Sequence, residues 1–520
     1  MSTLVHLLLT RPPEAAATRV GADVTTFGDV AHASAQLAQA LRTRHGVEPG
    51  DRVALLLEPG PAFVVALTAV WRARAAALVL TPLHPAKERA RLLADADVRC
   101  VITSPTLAAT AAEGAPATPV LVLARGPAAP ATLDGQALRD ARDTAALLPE
   151  PGDLALLVYT SGTTSRPKGV LLRHQHLEAQ CGAIAQAWQL RSDDVLVHAL
   201  PLHHVHGLVI ALLSVLRIGG SAIMLPSFDA HAVVAACARA SVFMGVPTMY
   251  ARLLDALDAL APGARATAAA TLAQLRLCTS GSAGLPVSLG ERWAHYAGRY
   301  PVERFGMTEL GVALSNRLHG ERVPGSVGWP LPGVRVRVVD DSASESAEGE
   351  LQVAGPAVFE AYWQRPDETV AAFVTTDGVR WFRTGDTVRR HADGRVSVLG
   401  RTSVDILKSA GYKLSALAIE EALRRHPDVR DAAVVGLPDE TYGQLVAAAV
   451  MLRPGAALTA ERLLAFARAE LAPYQLPRLV RFVDDVPRNA MGKVRKPQLA
   501  ELLASPEGNE AAGHPRGTKR

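Results

Sequence analysis

The residues that could do chemistry are concentrated first in Tyr159-Thr-Ser-Gly-Thr-Thr-Ser-Arg-Pro-Lys-Gly-Val170. Thr160, Ser161, Thr163, Thr164 and Ser165 supply hydroxyl donors, Gly162 and Gly169 supply backbone freedom, and Lys168 supplies a charge. Such a loop can turn its N–H groups onto a phosphate chain, because glycine accepts positive φ and allows close approach. It is not a Walker A loop, which needs Gly before the lysine and Ser or Thr after it; Pro167 and Gly169 flank Lys168. The competing reading is a plain Ser/Thr/Gly surface loop, disfavoured by the apolar run Leu154–Val158 that leads into it. A second cluster, Pro201-Leu-His-His-Val-His-Gly207, brings His203, His204 and His206 together. Their spacing does not suit two ligands one helical turn apart, and no cysteine or carboxylate accompanies them, which argues against zinc.

The elements that must position these groups alternate along the chain. Val53–Leu57, Ala77–Leu80, Val101–Thr103, Val195–Leu200, Ala222–Leu225, Val242–Val246 and Leu275–Thr279 read as strands. Val30–Leu41, Phe63–Trp71, Lys87–Ala94, His174–Gln189 and Leu208–Leu216 read as helices, and Ala108–Thr132 as a surface connection. This alternation predicts an α/β fold with parallel sheets covered by helices. Beyond Pro324 the strand-like pieces Val334–Val339, Glu350–Val353 and Arg395–Leu399 predict an antiparallel part. A smaller α+β unit follows, with helices Ala416–Arg425 and Ala460–Leu471 and strands Asp431–Val435 and Val446–Leu452. The expected division is a large domain over 1–400, a small mobile domain over 401–504 and a disordered polar tail over 505–520.

A chain of 520 residues with 49% hydrophobic and 20% charged residues is globular. Its net charge of +4 comes from scattered Lys and Arg, which leaves no footprint for nucleic acid. Cys100, Cys181, Cys237 and Cys278 form no CxxC pair, as in a reducing compartment. The N-terminus lacks a basic n-region, and no apolar run approaches the ~20 residues of a membrane span. A cytoplasmic location is therefore expected. The oligomeric state is left open.

Further motifs follow in order: Thr279-Ser-Gly-Ser-Ala-Gly284, Glu303-Arg-Phe-Gly-Met-Thr-Glu309, Trp381-Phe-Arg-Thr-Gly-Asp386, Gly400-Arg401 through Gly411-Tyr-Lys413, and Pro487-Arg-Asn-Ala-Met-Gly-Lys493. Together with the phosphate-type loop, they resemble the signatures of the adenylate-forming superfamily of acyl-CoA synthetases, firefly luciferase and peptide-synthetase adenylation domains. Two departures are Ser165 where glycine is usual and Phe305 where tyrosine is usual; both keep the main chemistry. The resemblance implies that Thr160–Thr164 and Lys168 hold the phosphates of ATP, that Gly281, Ser282 and Ala283 border the adenine, and that Phe305 stacks on it. It further implies that Thr308 contacts the α-phosphate and that Glu309 binds Mg²⁺, a hard cation suited to a carboxylate and phosphate oxygens. Asp386 and Arg401 would hold the ribose, and Lys493 would be the catalytic lysine of the small domain. The hinge segment carries one residue more than the common pattern, so Ser403, Val404 and Asp405 are all candidates for the pivot.

Within the superfamily the motifs are most similar to those of malonyl-CoA synthetases. That implies an ATP-dependent ligase joining a small carboxylic acid, malonate or methylmalonate, to the co-substrate CoA. His206 and Arg304 are the candidate acid-binding residues: a guanidinium can bind a second carboxylate bidentately. The alternatives are a hydrogen-bonded core histidine and an arginine paired with Glu303 or a surface acid. Competing functions are a medium-chain or general fatty acyl-CoA ligase, an adenylation enzyme charging a carrier protein, and a non-catalytic binding protein. The last is disfavoured by the presence of Glu309, Asp386 and Lys493 together.

Overall fold

The computed structural model describes residues 3–124, 132–138, 148–160, 167–488 and 492–505. A nine-stranded sheet is built on parallel neighbours, among them Val195–His198, Val242–Gly245, Leu277–Ser280 and Val302–Met307. An eight-stranded sheet has Arg52–Leu56, Ala76–Val79, Val98–Thr103, Val120–Ala124 and Leu154–Thr160 in parallel, with Lys168–Arg173 closing one edge antiparallel. The strands read as continuous apolar runs because both sheet faces are covered: every residue of Leu277–Ser280 is buried. The helix Pro61–Arg72 is buried from Phe63 through Arg72, as an element packed on all sides must be.

A five-stranded antiparallel sheet follows, containing Arg335–Val339, Glu348–Ala354, Phe373–Thr376, Val379–Arg390 and Val396–Arg401. Beyond it, Val429–Asp439, Gly443–Leu452 and Leu479–Phe482 form a three-stranded sheet with an apolar cluster on each face. One cluster holds Leu407, Ile419, Leu423 and Val450; the other holds Val435, Met451, Leu499 and Leu503. The main core ends at Val396, and neither small cluster reaches back before Leu407.

Two sequence expectations are corrected. The described part of Ala108–Thr132 is more than a surface connection: it contains the helix Ala108–Gly114, hidden by its alanine-rich composition, and the half-buried strand Val120–Ala124, paired on both sides. The expected helix Leu208–Leu216 begins at His206 and runs to Leu213 as a wide π-helix before tightening over Ser214–Arg217. Arg304 lies within the strand Val302–Met307. The expected tail lies outside the described residues from 506 onward.

Candidate active site

Thr160 and Lys168 face each other as the last ladder pair of an antiparallel hairpin. Ser161, Gly162, Thr163 and Thr164 at its tip lie outside the described residues. The hairpin is tied from beneath: the Tyr159 hydroxyl donates to Asp95, which also pairs with Arg365 at 3.3 Å. On its outer edge the segment Ala361–Trp363 adds backbone pairing, with Trp363 N–H donating to Gly169 at 2.7 Å and Leu171 N–H to Ala361 at 3.2 Å. This pairing delivers Tyr362, a functional candidate absent from the sequence reading. Its hydroxyl donates to Glu309 Oε1 at 3.0 Å, and the Lys168 ammonium lies 5.2 Å from its ring centre.

Glu309 is buried, and burial raises its pKa; the Tyr362 hydrogen bond and the charges of Arg401 and Lys168 oppose that rise. A buried carboxylate with an adjacent hydroxyl, Thr308, in the turn after Val302–Met307 fits a hard cation that completes its shell with phosphate oxygens. Asp386 sits on the long strand Val379–Arg390, opposite Arg401 in the ladder. Its pKa is pushed up to about 6 by burial, and the Arg401 and Lys493 cations pull the other way. Arg401 Nη1 lies 3.6 Å from Asp386 Oδ2 and donates to the Thr384 carbonyl. A buried carboxylate flanked by a guanidinium is a ready acceptor for a diol.

The acid side is built on two neighbouring parallel strands. Arg304 is buried, and Nε and Nη2 have no hydrogen-bond partner among the described residues. Desolvation lowers its pKa to about 10. Among the described residues neither Glu303 nor any surface acid pairs with it. His206 is likewise buried; Nδ1 lies 3.0 Å from Ser282 Oγ, while Nε2 has no partner among the described residues. Burial first, then the Arg304 charge, drives its pKa well down, so the ring is neutral at pH 7. The adjacent Thr279 Oγ1 and Ser280 Oγ are also buried without partners among the described residues. Buried donors left unpaired are costly, which marks a place where a ligand supplies the acceptors.

Gly281 and Ala283 follow the strand Leu277–Ser280, and Ser282 between them holds φ +69, a strained conformation that aims its hydroxyl at His206. Phe305 is half-buried and packs against the core edge on the same strand as Arg304. His203 and His204 belong elsewhere: their rings tilt together at 4.1 Å, and His84 meets His203 edge-on at 5.7 Å. Burial lowers them to about 3 and about 4 respectively.

Lys493 follows Gly492, which packs so closely on the helix Pro247–Asp258 that a Cβ there would overlap the Thr248 side chain. Arg488 Nη1 donates to the Gly492 carbonyl at 2.7 Å and Nη2 pairs with Asp431. Asp431 binds Arg424 at 2.9 Å, Arg424 binds Glu420 at 3.1 Å, and Glu420 binds Lys496 at 2.8 Å. Lys496 lies 3.4 Å from Asp405, whose other oxygen accepts the Arg401 N–H at 3.0 Å. Alternating charges thus run from the hinge segment to the lysine-bearing turn.

The AMP-binding enzyme family matches residues 9–363, and the AMP-binding enzyme C-terminal domain matches residues 418–493. "Malonate--CoA ligase ACSF3, mitochondrial" of Bos taurus is 40% identical over 519 residues, covering 92% of this chain and 86% of the relative. The ATP-bound MatB from Rhodopseudomonas palustris superposes with TM-score 0.86 at 34% identity, covering 96% of this chain and 99% of that one. A malonyl-CoA ligase ternary product complex with methylmalonyl-CoA and AMP bound is 38% identical, covering 92% of this chain and 99% of that one, with TM-score 0.66. Among the described residues no helix is long and apolar enough to cross a membrane. By its motifs, its fold and these matches across both units, the chain belongs to the AMP-binding enzyme family, as an AMP-forming acid–CoA ligase.

Proposed function

We propose that this chain joins malonate to CoA, using ATP and releasing AMP and pyrophosphate. The observation that carries this reading is the buried Arg304, with two unpaired N–H-bearing nitrogens beside the unpaired Nε2 of His206. A fatty-acid tunnel would leave that charge uncompensated at a cost of several kcal/mol, whereas the second carboxylate of malonate neutralises it. The distal carboxylate would rest on Arg304 and His206 while the reacting one attacks the α-phosphorus. The α-phosphorus–oxygen bond to pyrophosphate breaks, and the acyl-adenylate forms. The CoA thiol then attacks the acyl carbon, sheds its proton, and AMP leaves.

In this reading Thr160, Ser161, Gly162, Thr163, Thr164 and Lys168 cradle the phosphates. Gly281, Ser282, Ala283 and Phe305 border the adenine, and Asp386 and Arg401 hold the ribose. Thr308 and Lys493 stabilise charge at the α-phosphate, where preorganised donors matter most. Glu309 would hold Mg²⁺, which when bound would supply charge that neutralises the phosphates. The large unit ends at residue 400 and the small one spans 401–504, with the turn at 401–405 exchanging the two half-reactions. The likeness is greater to an ATP-bound relative than to a product complex of higher sequence identity, which supports an adenylation-type arrangement here. We also propose a cytoplasmic location, on four buried free cysteines.

AMP release measured over a panel of mono- and dicarboxylic acids, with and without CoA, tests this function. Malonate or methylmalonate should lead, with turnover dependent on CoA. Preference for hexanoate or longer acids would replace it with a general fatty acyl-CoA ligase, and turnover with a carrier protein in place of CoA would replace it with an adenylation module.

A further inference from the structure

Tyr362 touches two groups on different elements. Its hydroxyl bonds Glu309 Oε1 at 3.0 Å, and its ring lies 5.2 Å from the Lys168 ammonium. Glu309 sits in the turn after Val302–Met307 of the nine-stranded sheet, whereas Lys168 opens the edge strand of the eight-stranded sheet. No hydrogen bond or ion pair between Glu309 and Lys168 themselves is present among the described residues. Tyr362 itself is fixed on both sides. Its neighbours Ala361 and Trp363 pair with the hairpin backbone, its ring packs on Phe359 at 4.7 Å, and Phe359 N–H donates to the Glu309 carbonyl at 2.7 Å. The Tyr362 N–H donates to Thr369 Oγ1 at 3.0 Å. A side chain with only two rotatable angles, held this way, has little freedom to do anything but space its two contacts.

We infer that Tyr362 is a positioning residue that sets the metal-binding carboxylate against the phosphate-binding lysine. The inference rests on the proposed role of Glu309 as the Mg²⁺ ligand. The two ends act differently. The hydroxyl fixes Oε1 by a charge-assisted hydrogen bond and leaves Oε2 to the cation. The ring face attracts Lys168 and holds its ammonium over the hairpin before ATP arrives. Both effects preorganise the site for a metal-bridged triphosphate rather than for the acid.

The two ends can be separated. Tyr362→Phe keeps the ring and removes the hydroxyl; Tyr362→Leu removes both. ATP affinity would be measured by calorimetry on the whole chain, once in EDTA and once in excess Mg²⁺. For Tyr362→Phe we expect parent-like affinity in EDTA and a Mg²⁺-dependent gain reduced about tenfold, the size of one hydrogen bond to a charged group. For Tyr362→Leu we expect the same loss and a further weakening of about threefold in EDTA, from the missing cation–π contact. The malonate Michaelis constant should not move in Tyr362→Phe. A parent-like Mg²⁺ gain in Tyr362→Phe overturns the inference, as does an equal loss with and without Mg²⁺. Glu309→Gln distinguishes the two layers. If it keeps the full Mg²⁺ gain, the metal role of Glu309 is wrong; if it loses the gain while Tyr362→Phe does not, only the inference falls. Should Tyr362→Leu fail to fold, the phenylalanine variant decides alone, because it preserves packing.

Discussion

Arg304 lies folded across Gly281 so closely that a Cβ on the glycine would overlap its Nε and Cζ and stand 2.8 Å from Cδ. The guanidinium can occupy its pocket only because the neighbouring strand end carries no side chain. Gly281→Ala should therefore displace Arg304 and raise the Michaelis constant for malonate about tenfold or more. Arg304→Ala should lower kcat/KM for malonate by at least ~10²-fold, as expected when a buried carboxylate loses its partner. Steady-state kinetics varying each substrate in turn checks both; parallel losses for malonate and ATP in Arg304→Ala would place Arg304 outside the acid pocket.

Lys493→Ala should slow acyl-adenylate formation by roughly 10²–10³, the effect of removing one preorganised charge donor. Thioester formation from supplied malonyl-adenylate and CoA should survive. Half-reactions followed separately decide the matter, and an equal fall in both would rule out a lysine that serves only one step.

Asp386 carries a pH prediction. Its native pKa of about 6 exceeds the ordinary aspartate value of 3.8, because burial disfavours the charge. The native chain therefore holds more protons than the unfolded chain between those values, and stability falls as pH rises through that window. At pH 7 the charged carboxylate costs on the order of 1–3 kcal/mol, so Asp386→Asn should raise the melting temperature. Ribose hydroxyls donate to the charged form, so ATP affinity should drop as pH falls below about 6 in the parent and lose that dependence in Asp386→Asn. Titration calorimetry at several pH values, with melting curves alongside, tests both signs.

Arg488→Ala should resemble a milder Lys493→Ala, because Arg488 holds the Gly492 carbonyl and Asp431 at once. We expect adenylation to fall about tenfold, on the scale of a lost charged hydrogen bond, with the thioester step unaffected. Equal losses in both steps would make Arg488 a general stabiliser of the small unit.

Much of this was legible in the chain because the deciding signals are local. Apolar runs such as Leu154–Thr160 announce buried parallel strands, and Gly-Met-Thr-Glu309 or Met-Gly-Lys493 carry their chemistry within a few residues. What escaped is non-local or mixed in pattern. Val379–Arg390 alternates buried Trp381 and Phe382 with Arg383, Gly385 and Arg389, so a twelve-residue strand was visible only as a short motif. Tyr362 sits in an unremarkable polar stretch; only its pairing with Lys168–Arg173, nearly two hundred residues earlier, gives it a role. The unpaired state of Arg304 follows from what the fold keeps away from it, which no neighbouring letter records.

The line of charges from Asp405 through Lys496, Glu420, Arg424 and Asp431 to Arg488 has a mechanical meaning. A lever transmits angle into displacement only if it does not bend. Each link here is partly buried and doubly tethered, so flexing the small unit would separate opposite charges in a poorly solvated setting. Asp405 is gripped by this line and by the Arg401 N–H. We propose that it moves with the lever arm, with the compliance at Ser403 and Val404. A few degrees of rotation there would arrive undiminished at Lys493, and a single softened link in the middle would blunt the stroke without touching either end.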